Sequence, residues 1–219
     1  MSKSLAAFTP LPGFDGLYSA RKGDLRCTAI RLRSGGLCLY SPVAGLENVA
    51  LQSLADIGPV THLLAPNHYH NKGLAAHRDA FPYATLSCPA AAQPRLIKQT
   101  GLDFADLSAL TSDLPERTQI IDTQGLKTGE VWIEVDGNYG CLWIVTDAFR
   151  GPKSDNGLTD GQPELLGTFP KFGIADRQAY VAWLSETAAT SKPTTLVPCH
   201  GAVVSRANLH VDLIGLLRG

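Results

Sequence analysis

The stretch Ala65-Pro66-Asn67-His68-Tyr69-His70-Asn71-Lys72-Gly73 directly follows the apolar run Thr61-His62-Leu63-Leu64. An H-x-H pair at a strand end suits metal binding, because alternate side chains of an extended segment project to the same side. Two neutral imidazoles so placed, His68 and His70, can grip one borderline-soft divalent cation, zinc before manganese or iron. By itself the pair is a weak signal, since polar loops produce it by chance. Its weight depends on what the rest of the chain brings to it.

Upstream, Arg26 to Leu32 alternates loosely, Ser34-Gly35-Gly36 reads as a hairpin turn, and Leu37 to Tyr40 as a second strand closed by Ser41-Pro42. Glu47 to Ile57 carries Val49, Leu51, Leu54 and Ile57 at helical spacing and stops at Gly58-Pro59. Val60 to Ala65 is a buried strand running into the histidine stretch. Downstream, the sequence predicts a helix over 74–81, a strand over 84–88, a helix over 90–100 despite Pro94, and a polar loop from 103 to 116. Thr118 to Ile121 reads as a strand. Glu130 to Val135 and Cys141 to Val145 flank Asp136-Gly137-Asn138-Tyr139-Gly140 as a β-hairpin that ends in Thr146-Asp147. Residues 150–173 read as a long surface loop, 175–190 as a helix with Tyr180, Val181 and Leu184 on one side, 194–197 as a last strand leading to Pro198-Cys199-His200-Gly201, and 208–217 as a final helix.

No internal repeat or separating linker breaks this order, so residues 1–219 are expected to form one domain with a substantial core, 44% of the chain being apolar. Nineteen basic against twenty acidic residues give no electrostatic footprint for nucleic acid or an anionic membrane. Charged residues make up only 18%, below the usual quarter or so, which leaves room for a second subunit on the surface and a homo-oligomer. No apolar run is long enough to span a membrane, and the N-terminal stretch lacks the apolar core of a signal peptide. Five widely spread cysteines without a C-x-x-C read as reduced core thiols of a cytoplasmic protein.

Three segments thus end strands with potential ligands: His68 and His70, then Asp147, then His200. This order resembles the metallo-β-lactamase fold superfamily across nearly the whole chain. Thr146-Asp147-Ala148-Phe149 and Pro198-Cys199-His200-Gly201 match the places of the family's bridging Asp and last His, and Leu39-Tyr40-Ser41-Pro42-Val43 with Ala65-Pro66-Asn67-x-x-His70 look closer to a degenerate branch. The resemblance implies an α+β fold, a four-layer αββα sandwich, with His68, His70, Asp147 and His200 as metal ligands and Asp147 also as the catalytic group.

The departures are specific. The family motif runs H-x-H-x-D-H, and Lys72 and Gly73 stand where its Asp and last His belong. The family's middle histidine matches Leu126 in Gly125-Leu126-Lys127-Thr128-Gly129. The resemblance therefore implies at most one ion and a hydrolase-like protein acting on a small molecule, an ester, thioester or lactone. The alternative is a binding or scaffold member of the same fold that holds no metal. Lys72 either stands in for the second cation and pairs with Asp147, or is a solvated lysine at a helix start. Lys72→Asp with Gly73→His would restore the two missing ligands.

Other candidates have plainer readings. His62 reads as a core or interface histidine, His77 as a surface or capping side chain, and His210 as structural. Cys199 reads as a small buried residue beside the site. Trp132, Trp143 and Trp183 suit core positions.

Overall fold

The computed structural model describes residues 4–138, 140–153 and 157–218 of the chain. These fall in two compact units, Met1–Glu116 and Arg117–Gly219.

The first unit is built on β1 (Thr9–Pro10), β2 (Leu17–Lys22), β3 (Leu25–Arg31), β4 (Leu37–Tyr40), β5 (Val60–Leu64) and β6 (Thr85–Ser87), hydrogen-bonded in that order into one sheet. The first four strands are antiparallel neighbours, and β4, β5 and β6 are parallel. Helix α1 (Asn48–Ile57) makes the crossover from β4 to β5, and α2 (Leu74–Ala80) that from β5 to β6. Parallel pairing puts the carboxyl ends of β4 and β5 side by side, with Ser41 N donating to Leu64 O at 3.0 Å. Ser41 and the histidine stretch leave the sheet at the same place.

Helix α1 forms where its spacing foretells, but the face is rotated. Ala50 and Leu54, one turn apart, are buried against the sheet, while Val49 is 63% exposed. Helix α3 (Gln93–Thr100) accommodates Pro94 because it sits in the first turn, where the missing N–H would have no helical partner. The expected loop from 103 to 116 contains α4 (Ser108–Asp113). The Asp106 carboxylate accepts from Ser108 N at 2.9 Å at its start, and Leu114 O beyond its end accepts from Arg33 Nε at 2.8 Å.

The second unit starts with the antiparallel meander β7 (Thr118–Asp122), β8 (Val131–Gly137) and β9 (Gly140–Val145). Tyr139 of the expected hairpin turn lies outside the described residues, as do 154–156 of the expected loop. That loop is more structured than its composition suggests. It holds β10 (Phe149–Arg150) paired with β12 (Glu164–Leu165), β11 (Leu158–Thr159), and the short helix α5 (Phe169–Phe172). Helix α6 (Arg177–Ser191) starts at Asp176, whose carboxylate accepts from Ala179 N at 3.0 Å. After it come β13 (Thr195–Pro198), β14 (Val203–Ser205) and α7 (Leu209–Arg218).

The sheet order is β11-β14-β13-β9-β8-β7, with β13 parallel to β9. The three tryptophans take core positions with Tyr180, Phe149 and Phe169. Trp132 Nε1 donates to Glu130 Oε1 at 2.7 Å and Trp143 Nε1 to Glu134 Oε2 at 2.8 Å, so each fully buried indole finds a carboxylate.

Candidate metal centre

Asp147 lies two residues beyond β9 and His200 two beyond β13. Because these strands are parallel neighbours with Val145 opposite Pro198, their ends bring the two side chains together. His200 Nε2 is 3.1 Å from Asp147 Oδ1, with the carboxylate buried and the imidazole half-buried. The phrase His200-Gly201 has a packing reason. Gly201 has φ 82, and a Cβ there would lie 2.1 Å from Gly151 O; Gly151 N in turn donates to His200 O at 2.9 Å.

The turn that carries Asp147 is held from within by Glu130, a residue the sequence reading passes over. Its buried carboxylate accepts from Thr146 N at 3.1 Å, Asp147 N at 3.3 Å and Ala148 N at 3.5 Å, besides the Trp132 indole. Burial pushes the Glu130 carboxyl above its ordinary range, and the charge of Asp147 adds to the shift. A visible signal exists: Glu130 alternates with Trp132 and Glu134, so a carboxylate shares a strand face with a core tryptophan.

In the first unit the histidine stretch is a turn, not an extended strand end. Asn67 is buried, and its Oδ1 accepts from Tyr69 N at 2.8 Å and His70 N at 3.1 Å, an Asx turn that bends the chain just past β5. The two imidazoles accordingly meet different partners. His70 Nδ1 is 2.6 Å from Ser41 Oγ. His68 Nε2 is 3.3 Å from Arg95 Nη1 on α3. Asn71 Nδ2 donates to Gln99 Oε1 at 2.8 Å, a second tie between the turn and α3.

Lys72 is exposed, and Gly73 is tightly enclosed: a Cβ there would lie 2.2 Å from Pro42 O. A histidine cannot be placed at 73 without moving the backbone after β4, so the restoring double change expected from sequence is sterically barred. His77 corrects a second expectation. It is fully buried rather than on the surface, with Nδ1 donating to Gly73 O at 2.9 Å and no partner for Nε2 among the described residues. Burial lowers its pKa. Leu126, at the place of the family's middle histidine, packs on the apolar cluster of the second unit. Cys199 is buried, as expected.

No family model matches the sequence, and no curated protein matches it. Solved structures do. A metallo-β-lactamase from Erythrobacter litoralis matches 100% of this chain and 98% of its own at TM-score 0.68 and 15% identity. The FIM-1 metallo-β-lactamase from Pseudomonas aeruginosa, in a mono-zinc form, matches 98% and 95% at TM-score 0.63 and 14% identity.

The chain has the metallo-β-lactamase fold.

The expected α+β class is thus the one found. The same fold occurs in the rubredoxin oxygen:oxidoreductase of Desulfovibrio gigas, where this chain matches 60% of the length at TM-score 0.67 and 12% identity. A metallo-β-lactamase fold therefore says little about the reaction, and the side chains must carry that argument.

The donor set in this metallo-β-lactamase-fold chain suits a metal ion. His200 and Asp147 offer a nitrogen and an oxygen 3.1 Å apart, close to the ~3.3 Å between two ligand atoms each about 2 Å from a tetrahedral zinc. Ser41 Oγ at His70 Nδ1 fixes that ring, as a hydrogen-bond partner does for a metal-binding imidazole.

Proposed function

We propose that the chain holds one divalent metal ion, zinc in the first instance, through Asp147 and His200 with His70 of the H-x-H pair as the further ligand expected from the sequence, and that it is a hydrolase acting on a small ester, thioester or lactone. The observation that carries this reading is the Asp147–His200 pair, with its carboxylate buried, at the ends of two parallel strands and clamped by Glu130. A divalent ion bound there supplies Lewis acidity, polarising a carbonyl oxygen and making a nucleophile of water near neutral pH. The protein's own residues do the rest. Asp147 orients the attacking water and accepts its proton, Glu130 keeps Asp147 from swinging away, and Ser41 fixes the His70 ring. A single ion lacks the paired clamp that favours phosphodiesters, which is why a carboxylic ester or its relatives are the better substrates.

Five buried thiols support a reducing compartment, the cytoplasm. Among the described residues no helix is long and apolar enough to cross a membrane.

Hydrolysis of p-nitrophenyl acetate, a thioester and a lactone by zinc-loaded protein tests the proposal. Activity is expected on at least one, with loss in Asp147→Asn. No turnover of any of them, with no metal held under any loading condition, would favour the binding-protein reading, which the enclosed Gly73 and the apolar Leu126 support.

A further inference from the structure

The turn of residues 67–71 shows a cation where a metal-binding histidine would need an open lone pair. An arginine can only donate hydrogen bonds. The contact of Arg95 Nη1 with His68 Nε2 at 3.3 Å therefore makes Nε2 the acceptor and leaves the ring hydrogen on Nδ1. The guanidinium is not there by accident of a loose surface side chain. Its Cζ lies 4.7 Å from the centroid of the Tyr69 ring, a cation–π contact, and the His68 and Tyr69 rings pack edge to face at 4.3 Å. The Asn71–Gln99 hydrogen bond, one helical turn along α3, keeps the helix and the turn in register.

A metal ion approaching His68 Nε2 would have to displace this donor against the repulsion of a permanent positive charge. His68 is itself buried, so its ring has little room to turn another face outward.

We infer that Arg95 is a built-in cation that takes the place of a metal ion at His68, so that His68 is a hydrogen-bond acceptor and only His70 of the H-x-H pair binds metal. This rests on the proposed ion at His70, Asp147 and His200 only for what the natural protein binds. Arg95 thereby sets the metal stoichiometry and supplies the positive charge that an ion would otherwise bring to that side.

Zinc titrations by calorimetry, with cobalt absorption spectra as a second readout of nitrogen ligation, decide the matter on the full chain. The set is the natural protein, His68→Ala, His70→Ala, Arg95→Met (which keeps an apolar stem over Tyr69), Arg95→Gln, and Arg95→Met with His68→Ala. His68→Ala should leave zinc affinity within about threefold, whereas His70→Ala should lower it about tenfold or more. Arg95→Met and Arg95→Gln should gain about tenfold in affinity or a further bound ion, and removing His68 as well should abolish the gain. The inference is overturned if His68→Ala weakens zinc as much as His70→Ala does, or if neither arginine variant gains metal. Should the natural protein bind no zinc while Arg95→Met binds it through His68, the inference stands and the proposed site falls. One ion bound through His70, with no gain in either arginine variant, would instead keep the proposed site and overturn the role of Arg95.

Discussion

Ser41 Oγ lies 2.6 Å from His70 Nδ1, and Ser41 holds this position with a left-handed backbone, φ 57. A non-glycine residue in that region stores strain, which persists only when its surroundings enforce it. Here the enforcing contacts are Ser41 N on Leu64 O and complete burial of the side chain. The serine hydroxyl thus gives this imidazole nitrogen a neutral partner.

Two substitutions separate the strain from the hydrogen bond. Ser41→Ala keeps the strain and loses the hydroxyl, while Ser41→Gly loses both. Zinc affinity should fall about tenfold or more in each, as for other partners of metal-binding imidazoles. Thermal melts should place Ser41→Gly above Ser41→Ala by about 1 kcal/mol, the cost of a left-handed non-glycine residue. Equal zinc affinity in all three proteins would show that Ser41 does not orient His70.

Glu130→Gln tests the clamp on Asp147. The amide presents an NH2 group to backbone N–H donors that now meet a carboxylate. The expected loss is about 1–3 kcal/mol in urea unfolding, since buried donors are left without an acceptor. Zinc affinity should fall with it. Glu130→Asp, which keeps the charge but shortens the reach, should retain more zinc affinity than Glu130→Gln. The opposite order would mean that the carboxylate's role is only structural.

The buried His77 gives stability a pH dependence with a definite sign. Its folded pKa is lowered by burial, partly offset by the bond to Gly73 O, so protons bind the unfolded chain more readily. Its contribution is full above the unfolded value of about 6.5 and is lost as pH falls from there toward the lower folded value. His62, also lowered by burial, acts in the same direction. Urea midpoints between pH 7.5 and 5 should drop in the natural protein and drop less in His77→Leu. Parallel curves would rule out His77 as a source of the slope.

Gly73→Ala probes the close approach to Pro42. With a Cβ 2.2 Å from Pro42 O the backbone after β4 must shift, and overpacking of this kind costs about 1–3 kcal/mol or more. Zinc affinity should fall as well, since Ser41 is on the displaced segment. A variant that melts like the parent would reopen position 73 to the missing histidine.

Much of the fold was legible because its signals are local. The helix after Glu47, the strand before Ala65 and the hairpin around Gly137 all follow from periodicity and turn chemistry. The rotated face of α1 was not, because Ala50 looks neutral in sequence and is buried only by the sheet beneath it. The short strands at 158–159 and 164–165 were missed because two residues carry no period. The site divides in the same way. Asp147 and His200 stand out at strand ends, and parallel pairing of β9 with β13 joins them. Arg95 lies 27 positions beyond His68, and no local pattern connects a helix surface to a turn that far away. Asn67 was readable, as an Asx turn after proline, and would have warned that His68 and His70 do not share one extended face.

The number of ions per chain is the most direct test. Protein loaded with excess zinc, passed through a desalting column and measured by elemental analysis should hold one ion, lost in His70→Ala, Asp147→Asn and His200→Ala. Two tightly held ions, none, or one that survives His70→Ala would contradict a single centre built on His70, Asp147 and His200.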